Sequence, residues 1–499
     1  MKNFLKTGTR IGTPLLMAVL LGACSLAPVY ERPAAPIAAD WPSGPSYKPV
    51  TAAADAPAAA DILWRDFFLD ARLREVIELA LANNRDLRVS ALNIERARAQ
   101  YGIERAALLP SIGLTASESA ARTPANLSQS GQAGQGGAAV TARQYSVSLG
   151  AAAYELDFFG RVRSLSASAL ELYLGTEEAR SAQQISLVAE VARNYLTLVA
   201  DQDRLQLAQD TLKSQRVSYD LSERRFKAGV TSGLDMYDAR TSVEAARSDV
   251  ALFTSAVALD LNALNLVVGA NVTPNLLPSG SLAPVTALLD VPAGLPSDLL
   301  QRRPDVLQAE RTLRAANANI GAARAAFFPR ISLTASAGTA SPTLSGLFGG
   351  GSSAWSFMPQ IKLPIFDGGV NRANLAISKV DRDIAVANYE KAIQSAFRDV
   401  ADALAQRGTL GQRLASQEAL VEASSNSYRI HDARYRNGVE SYLSALISQR
   451  ALYGAQQSLI TARLSNATSL ITLYKALGGG WQPEGALPQS TLAPAQAGK

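Results

Sequence analysis

The chain has 499 residues, 47% of them hydrophobic and 18% charged, so it can bury a large core and is not a mainly disordered protein. Its formal net charge is +5, but the charges are spread along the sequence rather than clustered, which excludes nucleic acid as a partner. The single cysteine excludes an intramolecular disulfide and a cysteine-rich metal site.

Residues 1–23 have the layout of an export signal, with a basic start and an apolar core at 15–21 that is too short to cross a bilayer. The segment ends in Leu21-Gly22-Ala23-Cys24, the pattern at which bacterial lipoproteins are cleaved. An ordinary cleavage site beside an unrelated cysteine is the alternative. The only cysteine of the chain, however, lies at the one position that lipidation requires. We predict a lipid on Cys24, and Ser25 after it favours the outer membrane.

An extended arm and two helices are expected before the first strand. Residues 24–60 are rich in proline and alanine and predict a chain that runs extended. The first repeat, 61–269, begins with a short amphipathic helix over Asp70–Ala82. A longer helical pattern then runs from Asp86 to Leu109 and stops at Pro110.

Two β-hairpins follow from alternation at period two, at 110–156 and, in the second half of the chain, at 329–366. The return strand of the first is predicted to place five residues on one face: Tyr145, Val147, Leu149, Ala151 and Ala153. Strands of about ten residues with one apolar and one polar face are typical of a transmembrane β-barrel. Half-buried strands of a soluble protein would show the same alternation.

A very long helical hairpin is predicted over 160–268. Apolar residues recur there at strict intervals of seven: Val191, Leu198, Leu205, Leu212, Tyr219 and Phe226. A strict seven-residue repeat keeps one seam against a neighbour only if the helices supercoil left-handedly. The outgoing helix of some 68 residues is about 100 Å long, which no compact domain needs.

The same hairpin recurs 209 residues later, at 369–477 within a second repeat, 298–478. The start of the preceding β-hairpin matches its counterpart at a spacing of 219 residues. The first β-hairpin is therefore ten residues longer than the second, and we expect the extra residues in its exposed loop. Residues 270–297 link the repeats, and 479–499 form a loose tail. The fold class is therefore α+β: two tandem repeats, each with a β-hairpin and a very long helical hairpin.

No catalytic, cofactor-binding or metal-ligating constellation is found in the sequence. The glycine-rich stretch 346–353 lacks the lysine of a phosphate-binding loop and lies between two strands. The only histidine, His431, has no His or Cys partner, so we interpret it as a solvated helix residue rather than a base or ligand. No cofactor other than the covalent lipid is predicted.

The turns of the two helical hairpins carry a shared Gly-Val pair with basic residues before it. A left-handed glycine cap and a Ser or Thr cap on the next helix explain part of this pattern. They do not explain the basic residues or the valine, so we predict that both tips dock a partner. The first comprises Lys227, Gly229, Val230, Thr231 and Ser232, and the second Arg436, Asn437, Gly438, Val439, Glu440 and Ser441.

Six stretches together identify a family. They are Leu21–Cys24, Trp64 with Phe67, Arg302–Val306, Pro364–Gly369, Phe397–Leu404 and the two Gly-Val tips. With these the chain resembles the TolC-like outer-membrane efflux proteins, in the OprM-like (NodT) lipoprotein branch. The resemblance implies a homotrimer whose twelve-stranded outer-membrane barrel continues into a periplasmic barrel of α-helices. It also implies a periplasmic adaptor protein and an inner-membrane pump, expected to be proton-driven, as partners.

The resemblance further implies an aperture at the tips, for which we assign Asp235, Asp238, Tyr442, Leu443 and Ser444. Asp235 could equally act as a helix cap, while Asp238 lies one turn deeper. Relatives often carry an aspartate where this chain has Ile447. Ser444 and Ile447 stand where the first copy has Asp235 and Asp238, so the sequence leaves open whether the second tip adds an acidic ring.

The predicted function is a passive exit duct for drugs or other small toxic compounds, which performs no chemistry. An anchored structural or adhesive coiled-coil lipoprotein is the alternative from another class, and strands with a lipid-facing pattern argue against it. A duct for metal export or for type I protein secretion fits the same sequence, because a duct has no selective pocket. An enzyme is the weakest alternative.

Overall fold

The computed structural model describes residues 26–47, 61–125, 138–278 and 302–480. The predicted signal segment, Cys24, the end of the arm, most of the 270–297 linker and nearly all of the 479–499 tail lie outside the described residues. The described chain forms two compact units, and each unit combines parts of both repeats. Of the described residues, one unit contains those within 26–34, 94–176 and 309–389, and the other contains those within 35–93, 177–308 and 390–480.

Long helices dominate the described chain. Those of the first repeat are α1 (Trp64–Phe67), α2 (Ala71–Asn83), α3 (Arg85–Ala106), α4 (Arg161–Lys227) and α5 (Gly233–Val268). Those of the second are α6 (Pro304–Ala325), α7 (Val370–Arg436) and α8 (Tyr442–Ala476). The outgoing helices α4 and α7 each have 67 residues, and the returning helices have 36 and 35. The two outgoing helices have equal length because the second hairpin repeats the first at a constant spacing of 209 residues.

One four-stranded antiparallel sheet joins the two β-hairpins, in the order β1 (Ile112–Thr123), β2 (Val140–Leu156), β3 (Arg330–Ser341) and β4 (Ser353–Lys362). Serine hydroxyls meet across the strands on one face, for example Ser336 and Ser356 at 2.8 Å. The other face carries large apolar side chains, and Trp355 on it is 79% exposed. A polar face opposite an exposed apolar face is the pattern of a membrane barrel wall.

The predicted face of β2 is wrong beyond Ala151. A β-bulge shifts the register between Ala151 and Tyr154, where two residues of β2 intervene against one of β3. Ala153 has a positive φ of 51° and its backbone N–H donates to the Thr334 hydroxyl at 3.1 Å. Tyr154 therefore pairs with Leu333 and takes the face that alternation assigned to Ala153. An inserted residue reverses every later side chain of a strand.

The N-terminal arm lies along α6. Backbone carbonyls of Leu26 and Pro28 accept hydrogen bonds from Arg324 at 3.0 Å and Asn317 at 2.8 Å. Farther along, Arg32 pairs with Glu310 at 2.8 Å, and only 3% of the Glu310 side chain is exposed. A buried carboxylate is tolerated only when it is paired, so this contact holds the arm in one register on the helix.

The stretch at 302–306 has a structural role. The Arg303 side chain is 11% exposed and pairs with Asp305 at 2.6 Å and with Asp399 at 3.4 Å. It also donates to the carbonyl of Ala476 at 3.1 Å, near the end of α8. Nearby, Phe67 of α1 stacks on Tyr474 with ring centroids 4.0 Å apart. These contacts join the start of α6 to α7 and α8.

Candidate functional site at the helical hairpin tips

The first hairpin tip closes with a left-handed glycine. Gly229 has φ +73°, and its N–H donates to the Phe226 carbonyl at 2.9 Å. The N–H of Val230 donates to the Arg225 carbonyl at 3.0 Å. Two bonds of this kind satisfy the last carbonyls of a helix and turn the chain sharply. They leave the Val230 side chain 73% exposed at the tip.

The second tip has the same backbone. Gly438 has φ +72° and donates to the Tyr435 carbonyl at 3.0 Å, while Val439 donates to the Arg434 carbonyl at 3.0 Å. The Val439 side chain is 67% exposed. The two predicted docking tips therefore present a valine in the same way, each at the end of a 67-residue helix.

The returning helices begin differently at the two tips. Ser232 caps α5 by accepting from the Asp235 N–H at 3.5 Å, and the Thr231 hydroxyl hydrogen-bonds the Asp235 carboxylate. Ser441 precedes α8 without a side-chain capping bond, and its hydroxyl lies 3.4 Å from that of Ser444. The Asp235 carboxylate is therefore part of the helix start, as the capping alternative expects.

A cluster of polar and charged side chains holds the second tip together; the contacts of Glu440 with His431 and Arg434 are called the brace below. The Glu440 carboxylate meets His431 Nδ1 at 2.9 Å and Arg434 Nε at 3.0 Å, and Arg436 pairs with Asp432 at 2.8 Å. The hydrogen bond from His431 is the main reason why the pKa of the Glu440 carboxyl lies below its usual value.

The interpretation of His431 as a solvated helix residue is thus incomplete, because the imidazole bonds to an acid across the turn. This pair cannot be predicted from helical spacing, because the two residues lie nine positions apart on either side of the turn and not on one face of a helix. The sequence feature that could have predicted an ion pair at this turn is the basic end of the helix, with Arg434 and Arg436, followed by Glu440 two residues after Gly438.

The first tip has a simpler charge pattern. Lys227 pairs with Glu223 one helical turn before it, at 3.2 Å. The position that corresponds to Glu440, 209 residues earlier, is Thr231, and the position that corresponds to His431 is Ser222, which is buried. The brace of the second tip therefore has no counterpart in the first.

Tyr442 belongs to a packed cluster formed by all four long helices. It is 4% exposed and contacts Ala239 and Leu446, with Tyr219 and Tyr435 packed against the group. Burial raises the pKa of the Tyr442 hydroxyl. This hydroxyl has no hydrogen-bond partner in the part of the chain that the structure describes.

Of the residues assigned to the aperture, Tyr442 is thus held inside the protein in this conformation, whereas Leu443 beside it is 53% exposed. On α5, the Asp238 carboxylate makes no hydrogen bond or ion pair with any described residue. Its counterpart on α8, Ile447, is 59% exposed. Only the first repeat therefore offers an unpaired acid one turn into its returning helix.

Within the described ranges, no group of three or more His, Cys, Asp or Glu side chains could hold a metal ion.

Residues 76–270 and 295–479 match the family model described as outer membrane efflux protein. The chain belongs to the outer membrane efflux protein family. The match covers both repeats and more than half of the chain, and it confirms the resemblance that the six sequence stretches indicated. The efflux protein family is one of channels, and its members localise to the bacterial outer membrane.

Individual relatives agree with the family. The chain is 52% identical over 464 residues to the toluene efflux pump outer membrane protein TtgC of Pseudomonas putida, covering 93% of this chain and 94% of that one. It is 46% identical over 468 residues to the outer membrane protein OprJ of Pseudomonas aeruginosa, covering 94% and 95%. The open-state MtrE outer membrane channel of Neisseria gonorrhoeae superposes with a TM-score of 0.81 at 38% identity, covering 92% and 98%.

The predicted fold class and function are thereby confirmed. This efflux protein is an outer-membrane channel that serves an efflux pump, and its hairpins and strands are those of the TolC-like fold.

Proposed function

We propose that three copies of this efflux protein form a passive exit duct, which conducts small toxic organic compounds from an inner-membrane pump to the outside. The observation that carries the proposal is the four-stranded sheet, which has an exposed apolar face and whose two edge strands, β1 and β4, pair with no further strand among the described residues. Free edges are not tolerated in lipid, so the sheet must close with other copies. Two copies give eight strands with a filled interior, whereas three give twelve strands and a lumen.

An unpartnered helical seam supports the same assembly. On α5, the leucines 252, 259 and 266 recur every seven residues and are 60%, 64% and 79% exposed. Among the described helices, only α5 is long and apolar enough to cross a membrane by length and composition. A seven-residue spacing favours a coiled-coil seam over a membrane span. In the proposed trimer, these leucines pack against a helix of the neighbouring copy.

The proposal includes the lipid on Cys24 as an additional tether. The described chain begins at residue 26, and the arm from there to Arg32 is held on α6 by the contacts with Glu310, Asn317 and Arg324. A lipid on Cys24 would therefore be attached two residues before a segment that is fixed to α6, so it would anchor the folded protein and not a free tail. Mass spectrometry of the mature N-terminus should show a diacylated or triacylated Cys24, and an unmodified cysteine contradicts this part.

We assign adaptor docking to the tips and the resting aperture to Asp238, Leu443 and Ser444. Asp235, which the sequence also placed in the aperture, stabilises the start of its helix instead, and Tyr442 packs beneath the tip. Support comes from the matched turns with exposed valines and from the unpaired Asp238 carboxylate. The periplasmic adaptor meets the tips, and a proton-driven inner-membrane pump supplies the energy, since the duct itself carries out no reaction.

The substrate class follows the relatives. Proteins about half identical to this chain serve pumps named for toluene and for antibiotics. A wide lumen would pass either. We therefore propose small organic toxicants as cargo, delivered by the pump that sets the selectivity.

The test combines native mass spectrometry of the detergent-solubilised protein with single-channel recording in planar bilayers. We expect a trimer and discrete conductance steps. As a matched pair, Leu259→Asn lies on the exposed seam and Leu221→Asn lies on an exposed position of α4 outside it; only the first should weaken the trimer. A monomeric protein without conductance overturns the duct and leaves the anchored coiled-coil alternative.

A further inference from the structure

A cavity of about 700 Å³ lies where the strands meet the helices in the unit that contains the sheet. This volume is within the range of about 300–1,000 Å³ that is typical of small-molecule sites. Its lining combines aromatic rings with charged side chains. Phe159 and Phe328 stack in its wall with centroids 4.7 Å apart, and the nearby Phe366 is 92% exposed.

The charged strand residues of this cavity lie on the lumenal face of the sheet. Arg330 of β3 pairs directly with Lys362 of β4, and Glu155 of β2 pairs with Ser332. By alternation, these positions share the face of Ser336 and Ser356, which is the polar face. The polar face of an outer-membrane barrel lines the conducting lumen, so cargo in the duct passes this cavity.

The cations of the cavity exceed the acids that can pair with them. The Glu155 carboxylate is shared between Arg161, at 2.8 and 2.7 Å, and Arg330, at 2.8 Å. Of the other two acids of the lining, Asp157 pairs with the Arg163 side chain at 3.3 Å. Asp367 accepts from two backbone N–H groups at 2.9 Å, which orient the carboxylate without cancelling its charge.

No acid within the described residues pairs with the exposed Lys362, which stands directly across the strands from Arg330. Like charges opposite each other destabilise an antiparallel pair, and a bound anion would relieve that repulsion. When Arg163 is counted with the lining, the four cations Arg161, Arg163, Arg330 and Lys362 stand against three acids. The net charge around the cavity is therefore positive, beside apolar rings.

We infer that this cavity is a lumenal binding site for amphiphilic organic anions in transit. Lys362 and Arg330 receive the acidic group, and Phe328 and Phe366 contact the apolar body. The inference rests on the duct function and adds to it a class of cargo that pauses at the junction of strands and helices.

Block of single-channel current by naphthalene-2-sulfonate tests the site, with the neutral, nearly isosteric naphthalene-2-sulfonamide as the matched probe. We expect Lys362→Gln to raise the half-blocking concentration of the sulfonate about fivefold, the range of one exposed ion pair, and to leave that of the sulfonamide unchanged. Phe366→Ala should raise both, also about fivefold. Lys379→Gln, an exposed lysine of α7 outside the cavity, is the control and should change neither.

Equal sulfonate block in the Lys362→Gln and Lys379→Gln channels overturns the site. Open-channel conductance without any probe is recorded for every variant and separates the two proposals. A variant that conducts normally but has lost discrimination between the probes supports the site, and a parent protein that never conducts contradicts the duct itself.

Discussion

The two hairpin tips have the same backbone but different side-chain chemistry. Both close with a glycine at φ near +73° and expose a valine just after it. The first then begins its returning helix with Gly233, whereas the second places Tyr442 at the matching position and buries its ring among four helices. A glycine cap is therefore sufficient for the shape of the turn, and the residues around it are free to differ.

The acids of the two tips also lie in different places. The first tip carries Asp235 and Asp238 on its returning helix, and Asp235 is bonded to Thr231. The second carries Glu440 within the turn, where it hydrogen-bonds His431 and pairs with Arg434. The two repeats therefore contribute different chemistry to the tips. The first supplies the unpaired carboxylate of Asp238, and the second supplies the buried ring of Tyr442 and the contacts of Glu440 with His431 and Arg434.

The largest expected effect concerns the packing. Tyr442→Ala removes a buried aromatic ring from the four-helix cluster and should lower the free energy of unfolding by about 3–5 kcal/mol. Tyr442→Phe should be neutral or stabilising, because the buried hydroxyl has no described partner to lose. Denaturant unfolding followed by the helical circular dichroism signal measures both, and an equal loss in the two variants would show that the hydroxyl carries the contact.

An intermediate effect concerns charge at the aperture. Asp238→Asn should lower the cation-to-anion permeability ratio about twofold to fivefold, since a unit charge a few ångström away in water is worth about 1 kcal/mol. Ile447→Asp introduces the matching acid into the second tip and should raise the ratio by a similar factor. Reversal potentials in a salt gradient report both changes.

Asp235→Asn provides the contrast to these two variants. Asn can still accept from Thr231 but removes the negative charge at the helix start, so this variant should cost about 0.3–1 kcal/mol of stability. Its permeability ratio should remain near that of the parent. If Asp235→Asn and Asp238→Asn shift selectivity alike, both acids face the lumen and the division between cap and aperture is wrong.

The smallest effect concerns the brace at Glu440. Its carboxyl pKa is lowered in the folded protein, so the brace contributes stability above the ordinary glutamate pKa of about 4.3 and is lost as the pH falls through the folded value. The first tip has Thr231 at this position and should not respond. Pepsin digestion between about pH 2 and 5 measures cleavage of both tips in one sample, which cancels the pH dependence of the protease.

Relative cleavage of the second tip should rise with acidity in the parent and stay level in Glu440→Gln. A parallel rise in the variant would mean that another group controls the opening of this tip.

The comparison of the tips also separates what local sequence predicts from what it does not. Heptad spacing and glycine caps predicted the helical hairpins at 160–268 and 369–477, and the structure has helices at Arg161–Lys227, Gly233–Val268, Val370–Arg436 and Tyr442–Ala476. These signals are local, because a helix depends on residues within four positions and a glycine cap on a single φ angle.

By itself, the sequence determined the repeat, the helical hairpins, the strand pattern and the family. Only the tertiary structure decided the bulge beside Ala153, the burial of Tyr442, the pairing of His431 with Glu440 and the cavity at Lys362. Each of these depends on a residue that approaches across a turn or from the other repeat. Periodicity along one segment carries no information about such a neighbour, because the contact energy arises only once two distant segments are packed together.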